Sequence, residues 1–219
     1  MSANKNKVEL IGTYGSDETH ALSAWTSTSR DLTEDKKNRI PALLKMLAEN
    51  GHETPFEKSS MHFLVTTDVA SHIHLIKHRV GVSVNAESAR YKELKDDKYY
   101  VPEDWDAEEK EKYVSHLENS LRMYHETLNR LVEKGISRKR AKESARLYLP
   151  YGNQITADVM FNFRSFYHFV HLRYSTHAQL EIREIAKEML LLVKDTGAFD
   201  KTLEAFGLLS NGIIREPFE

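Results

Sequence analysis

The chain contains no cysteine. That removes disulfide staples, thiolate metal centres and any cysteine nucleophile from consideration. Glycine is sparse, at nine residues, and none falls in a Walker-type loop or a Gly-x-Gly-x-x-Gly fingerprint. Any bound anion must therefore be held among side chains. No long apolar run exists: residues 189–193 form the longest, far too short to cross a bilayer. The opening MSANKNK is polar with no apolar run behind it, so no signal peptide is expected and the reading is a soluble, cytoplasmic protein. Charge of one sign is lacking too. A formal net charge of −2 gives no global drive towards nucleic acid or membrane.

What is present describes a globular protein. At 219 residues, with 40% hydrophobic content and ten tyrosines, the chain is expected to form one domain, 1–219, with a real core. Residues 8–14 (VELIGTY) and 61–67 (MHFLVTT) read as strands, as does 155–163, which delivers Asn162 and Arg164 at its end. Helices are expected over 18–25, 32–50, 165–173, 178–193 and 202–209. Pro41 inside the 32–50 pattern predicts a kink or a later start, and Gly51 sits where that helix would be capped. Residues 52–57 read as a loop, and the acidic stretch 96–111 as a surface insertion. Residues 113–134 form a strong amphipathic helix, with Leu117, Leu121, Tyr124, Leu128 and Leu131 in one stripe. Ser137 caps a further helix that Pro150 closes. Helices and strands mix without regular βαβ alternation, so the class is α+β: a sheet packed by helices beside one long amphipathic helix.

The richest stretch is 72–91, HIHLIKHRVGVSVNAESARY. Its first part, through Arg79, fits a helix; Gly81 then breaks the pattern and Val80, Val82 and Val84 alternate in an extended segment. Lys77, His78 and Arg79 precede a turn and the cluster Asn85, Glu87, Ser88 and Arg90. Donors this dense suit a nucleotide phosphate or pyrophosphate. The plainer alternative is a solvated helix end. His74 and His78, four apart, also raise a metal site, but His72 points elsewhere and no acidic residue completes a zinc motif. No metal is expected.

HisArg-x-Gly-x-Ser-x-Asn-x-x-Ser-x-ArgTyr resembles the signature of the flavin-dependent thymidylate synthases, usually Arg-His-Arg, seven residues, then Ser. Residues 51–57 (GHETPFE) and 164–182 (RSFYHFVHLRYSTHAQLEI) are similar to the same family. Two departures stand out. Lys77 replaces the first arginine and loses its bidentate fork. Eight residues separate Arg79 from Ser88, so either Ala86 or Glu87 takes the usual glutamate position. The extra residue is expected to bulge at Gly81. Cysteine-free chemistry agrees with this resemblance, because the better-known thymidylate synthases need a cysteine.

The resemblance implies FAD as cofactor, NADPH and methylenetetrahydrofolate as co-substrates, and dUMP as the methyl acceptor. It also implies a homotetramer with sites at subunit junctions. By position, FAD would be held by Thr54, Lys77, His78, Arg79, Glu87, Asn162, Arg164 and His168, where an asparagine is commoner than His168. His52 would lie towards the substrate side. The nucleotide would be held by His74, Lys77, Glu87, Ser88, Arg90, Arg146 and Arg173, with Arg173 activating the pyrimidine. Helical spacing lets Arg164 and His168 reach one ligand together.

Two other readings compete. The basic helix at 137–146 could serve a non-enzymatic nucleic-acid-binding protein, although Glu143 would partly neutralise Arg146 at i, i+3. A flavoprotein of the same fold with a different acceptor is the third.

Overall fold

The computed structural model describes residues 2–3, 5–91, 93 and 98–219. In chain order the elements are β1 (Ser2–Ala3), β2 (Lys7–Tyr14), α1 (Asp17–Trp25), α2 (Glu34–Glu49), β3 (Ser60–Asp68), α3 (Val69–Leu75), β4 (Val82–Ala86) and β5 (Lys98–Tyr99). Then come α4 (Ala107–Glu133), α5 (Arg138–Ala145), β6 (Gln154–Phe161), α6 (Phe163–Arg173), α7 (Leu180–Asp195), α8 (Asp200–Ala205), β7 (Leu209–Ser210) and β8 (Ile213–Ile214). Short 3₁₀ turns occupy Thr54–Glu57 and Arg146–Tyr148. The class is α+β. A four-stranded sheet has the order β2-β3-β6-β4, and two-stranded pairs join β1 to β5 and β7 to β8. Along β3 buried and less buried residues alternate, the period-2 signature of a strand with one face in the core.

The chain divides into two compact units, neither continuous in sequence. One comprises 1–7, 65–75 and 85–157; the other comprises 8–64, 76–84 and 158–219. In the first, the apolar stripe of α4 buries Leu117, Leu121, Tyr124 and Leu128, the last two against Ala141 and Ala145 of α5. Asp106 caps α4, accepting the amide of Glu109 at 2.9 Å. In the second, α7 buries Ile182, Ile185, Ala186, Met189, Leu190 and Val193 on one stripe. An aromatic cluster of Phe56, Phe163, Phe199 and Phe206 surrounds His20 or packs against its neighbours. His20 Nδ1 lies 3.0 Å from Thr202 Oγ1 and Nε2 lies 2.8 Å from Ser59 Oγ. Thr202 in turn donates to Asp17 at 2.6 Å, and Asp17 also accepts the Lys201 and Thr202 amides that begin α8.

Several expectations need correction. The helix expected through Arg79 is α3 and stops at Leu75, the last buried apolar residue; Ile76 is already exposed, so no apolar stripe continues. Pro41 neither delays nor divides α2, which starts at Glu34 after the cap Thr33. Gly51, at φ +67°, does occupy the left-handed position just beyond that helix. Residues 52–57 contain a 3₁₀ turn. The stretch 96–111 is no simple surface insertion: Asp96 and Asp97 lie outside the described residues, but Tyr99 is buried against Leu117 and Leu121, and α4 begins at Ala107. The helix after Ser137 ends at Ala145, ahead of Pro150.

Candidate active site

Residues 76–81 leave α3 as a turn, so Lys77 and Arg79 reach outward while His78 between them is buried. The turn is seated on the start of α6. Ser165 Oγ donates to the Val80 carbonyl at 2.6 Å and the Asn162 amide to the Gly81 carbonyl at 3.2 Å. Gly81 has φ +65°, and a Cβ there would come within 2.4 Å of Ser165 Oγ and 2.5 Å of Asn162 Nδ2. Only glycine fits that conformation and that space.

This arrangement forms a cavity of about 440 Å³, within the range of small-molecule sites. Lys77, His78, Arg79, Arg164, His168 and Arg173 all line it, with Glu53, Val80, Val82, Ser165, Tyr167 and Leu172. Arg164 and His168 share one face of α6, as their spacing predicts. Arg164 is clamped twice, its Nε 2.6 Å from Glu53 and its Nη1 2.7 Å from Glu57. The hydrogen bond that Arg164 donates to Glu57, with the charge of Glu53, raises its pKa still further. Arg173, the last residue of α6, is half-buried and donates from Nε to His78 Nε2 at 3.0 Å. Burial, then the cation of Arg173 and the ring of His168, push His78 down to about 4, so it is neutral at pH 7. Burial also lowers Arg173. Cations outnumber the single lining carboxylate, Glu53, and apolar walls stand beside them.

A second cavity, of about 280 Å³, lies in the unit built on α4 and α5. Glu87, Ser88 and Arg146 line it with Val69, Leu149, Pro150, Tyr151 and Asn153. Arg90 does not line it. Its guanidinium lies 3.3 Å from Glu143 and over the ring of Tyr91. Thr54 is exposed at the start of its 3₁₀ turn, and His74 lies on α3; neither lines a cavity described here. Asn162 is the N-cap of α6, with its Oδ1 accepting the Ser165 amide at 2.8 Å. Sequence reasoning missed Glu53, Glu57 and Tyr167. The two carboxylates were visible in GHETPFE, but nothing in the sequence paired them with Arg164.

The basic helix is largely engaged within its own unit. Arg138 pairs with Glu93, Lys142 donates to the Tyr91 carbonyl at 2.8 Å, and Arg140 lies 3.7 Å from Glu143. Glu143, expected opposite Arg146, faces Arg90 and Arg140 instead, because α5 ends at Ala145 and Arg146 starts a tighter turn. Among the described residues no group of three or more His, Cys, Asp or Glu could hold a metal, and no helix is long and apolar enough to cross a membrane.

The cavity combines cations, a neutral buried histidine and apolar walls, the chemistry that an anionic ring compound would need. Comparison with known proteins gives the chain a family. Residues 9–196 match the family described as "Thymidylate synthase complementing protein". A flavin-dependent thymidylate synthase of Clostridium tetani is 33% identical over 177 residues, covering 76% of this chain and 70% of its own. One from Thermosipho africanus is 29% identical over 93% of this chain and 91% of its own. The crystal structure of the UMP/dUMP methylase PolB from Streptomyces cacaoi, bound with 5-Br dUMP, is similar with a TM-score of 0.76 and 27% identity, covering 97% of this chain and 99% of that one. The chain belongs to the flavin-dependent thymidylate synthase family.

Proposed function

We propose that this protein methylates dUMP to dTMP, with methylenetetrahydrofolate as carbon donor, FAD as cofactor and NADPH as reductant. The observation that carries the reading is the convergence of Lys77, His78, Arg79, Arg164, His168 and Arg173 on one cavity. The residues fit a flavin: Lys77 and Arg79 offer charge for a pyrophosphate, and Val80, Val82, Tyr167 and Leu172 offer a wall for a flat ring. A flavin held there would supply, when reduced, the hydride that completes the methyl group.

The chain's own residues bind, orient and stabilise charge. Lys77, Arg79, Arg164 and His168 hold the cofactor, and the two carboxylates that clamp Arg164 fix where its fork points. Glu87, Ser88 and Arg146 hold the phosphate and sugar of dUMP, joined by Arg90 when it leaves Glu143. Arg173 stands beside the pyrimidine and stabilises negative charge as C5 becomes nucleophilic, which dispenses with a thiolate. Thr54, His74 and Asn162 act from the margins, Asn162 by capping the helix that carries Arg164 and His168. The working form is a cytoplasmic homotetramer of single-domain subunits, with sites completed at subunit junctions.

The test is rescue of a thymidine-requiring bacterium that lacks its own synthase. The expected result is growth without thymidine and yellow purified protein. Soluble, abundant protein without rescue would count against the reading.

A further inference from the structure

Resting on that reading, we infer that His78 is a positioning residue: it orients Arg173 for the pyrimidine rather than holding the flavin itself. The geometry is specific. His78 Nε2 accepts the Nε–H of Arg173 at 3.0 Å, so the ring carries its proton on Nδ1. The imidazole is itself held between rings, edge-on to Phe169 at 5.0 Å and to His168 at 5.7 Å. It is buried, whereas Lys77 and Arg79 on either side are exposed. His78 lines the same cavity, but its Nε2 is turned to Arg173. Arg173 ends α6, and a hydrogen bond at Nε narrows the rotamers open to its long side chain. Fixing Nε sets the plane of the guanidinium before substrate arrives, so less ordering remains for the binding step.

A double-mutant cycle tests this, read as dUMP affinity of the flavin-loaded protein by calorimetry, alongside flavin content and melting temperature. His78→Phe keeps the ring packing and deletes the acceptor. It should weaken dUMP binding roughly tenfold to thirtyfold while flavin content stays near that of the parent. His78→Gln, whose side-chain oxygen can accept from Nε, should restore affinity to within about threefold. In an Arg173→Lys background, His78→Phe should change affinity less than about twofold, because the group it acts through has gone. Equal effects in both backgrounds, no effect in either, or flavin loss that tracks the affinity loss would each overturn the inference. Should His78→Phe fail to fold, His78→Asn, too short to reach Arg173, takes its place in the same cycle. Parent protein that binds no dUMP would overturn the functional reading and this inference together; parent binding with an additive cycle overturns the inference alone.

Discussion

Glu87 and Thr156 are joined by two hydrogen bonds, one from each amide. The Glu87 amide donates to the Thr156 carbonyl at 2.9 Å, and the Thr156 amide donates to the Glu87 carboxylate at 3.0 Å. The side chain stands where a backbone carbonyl would continue the ladder, so β4 is extended by one rung past Ala86. That rung sets where Ser88 begins. Glu87→Gln keeps an acceptor and should leave the KM for dUMP within about threefold of the parent. Glu87→Ala removes a charge-assisted bond and should raise it roughly tenfold, matching a loss of about 1.5 kcal/mol. Steady-state kinetics decide; equal KM values for the two variants would show that the rung is irrelevant.

Arg173→Ala should cut dTMP formation roughly a hundredfold to a thousandfold, the cost of losing about 3–4 kcal/mol of charge stabilisation. Arg173→Lys should recover little, since an ammonium lacks the planar fork. Flavin content has to be measured in parallel, because Arg173 shares its cavity with Arg164 and His168. Near-normal turnover by Arg173→Ala would remove it from the chemistry.

The Arg164 clamp makes a different forecast. Each carboxylate is about a third exposed, so breaking one pair should hardly move the melting temperature. Orientation should suffer more. Glu57→Gln should weaken FAD retention a few-fold with the fold intact, measured as flavin bound per chain after dialysis. A large drop in melting temperature with full flavin content would reverse that assignment.

Stability should fall as the solution is acidified. Burial depresses His20 from its ordinary 6.5 to about 4, and His78 likewise. Both rings are neutral in the folded protein and take protons first when unfolded. Their stabilising contribution is therefore complete above pH 6.5 and lost as pH falls towards 4. For His20 this corresponds to roughly 3 kcal/mol. Asp17, raised by burial, has the opposite sign: its contribution is lost as pH rises through its folded pKa. Urea midpoints between pH 4 and 7 should show the decline, and His20→Asn should flatten it. An unchanged slope in His20→Asn would refute the role of His20.

Much of this was legible because it lay in periodicity and in local chemistry. The α4 stripe, the 61–67 strand, the Ser137 cap and the shared face of Arg164 and His168 each follow from spacing alone. Gly81 stands at a positive φ with side chains crowding it, as a residue that breaks the helical pattern should. What sequence could not carry was long-range pairing. Nothing within GHETPFE says that its carboxylates meet an arginine, which for Glu57 lies 107 residues later in the chain. Nor does His20, in an ordinary amphipathic helix, announce Ser59 and Thr202 as its partners. The end of α3 at Leu75 was missed for a related reason: Lys77–Val80 would suit a helix locally, and only the docking of Val80 and Gly81 on α6 decides otherwise.

The chain of contacts from Ser59 through His20 and Thr202 to Asp17 also bears on how the protein is made. Synthesis is vectorial, and Thr202 is added 182 residues after His20. A nascent chain on the ribosome carries Asp17 and His20 through that whole interval before their partner exists. Asp17 and His20 cannot reach their final contacts as they emerge, and the unit they belong to closes only once α8 has been made. Truncation anywhere before Thr202 leaves Asp17 and His20 without the hydroxyl that joins them, so an incomplete chain differs from a finished one at a buried polar site.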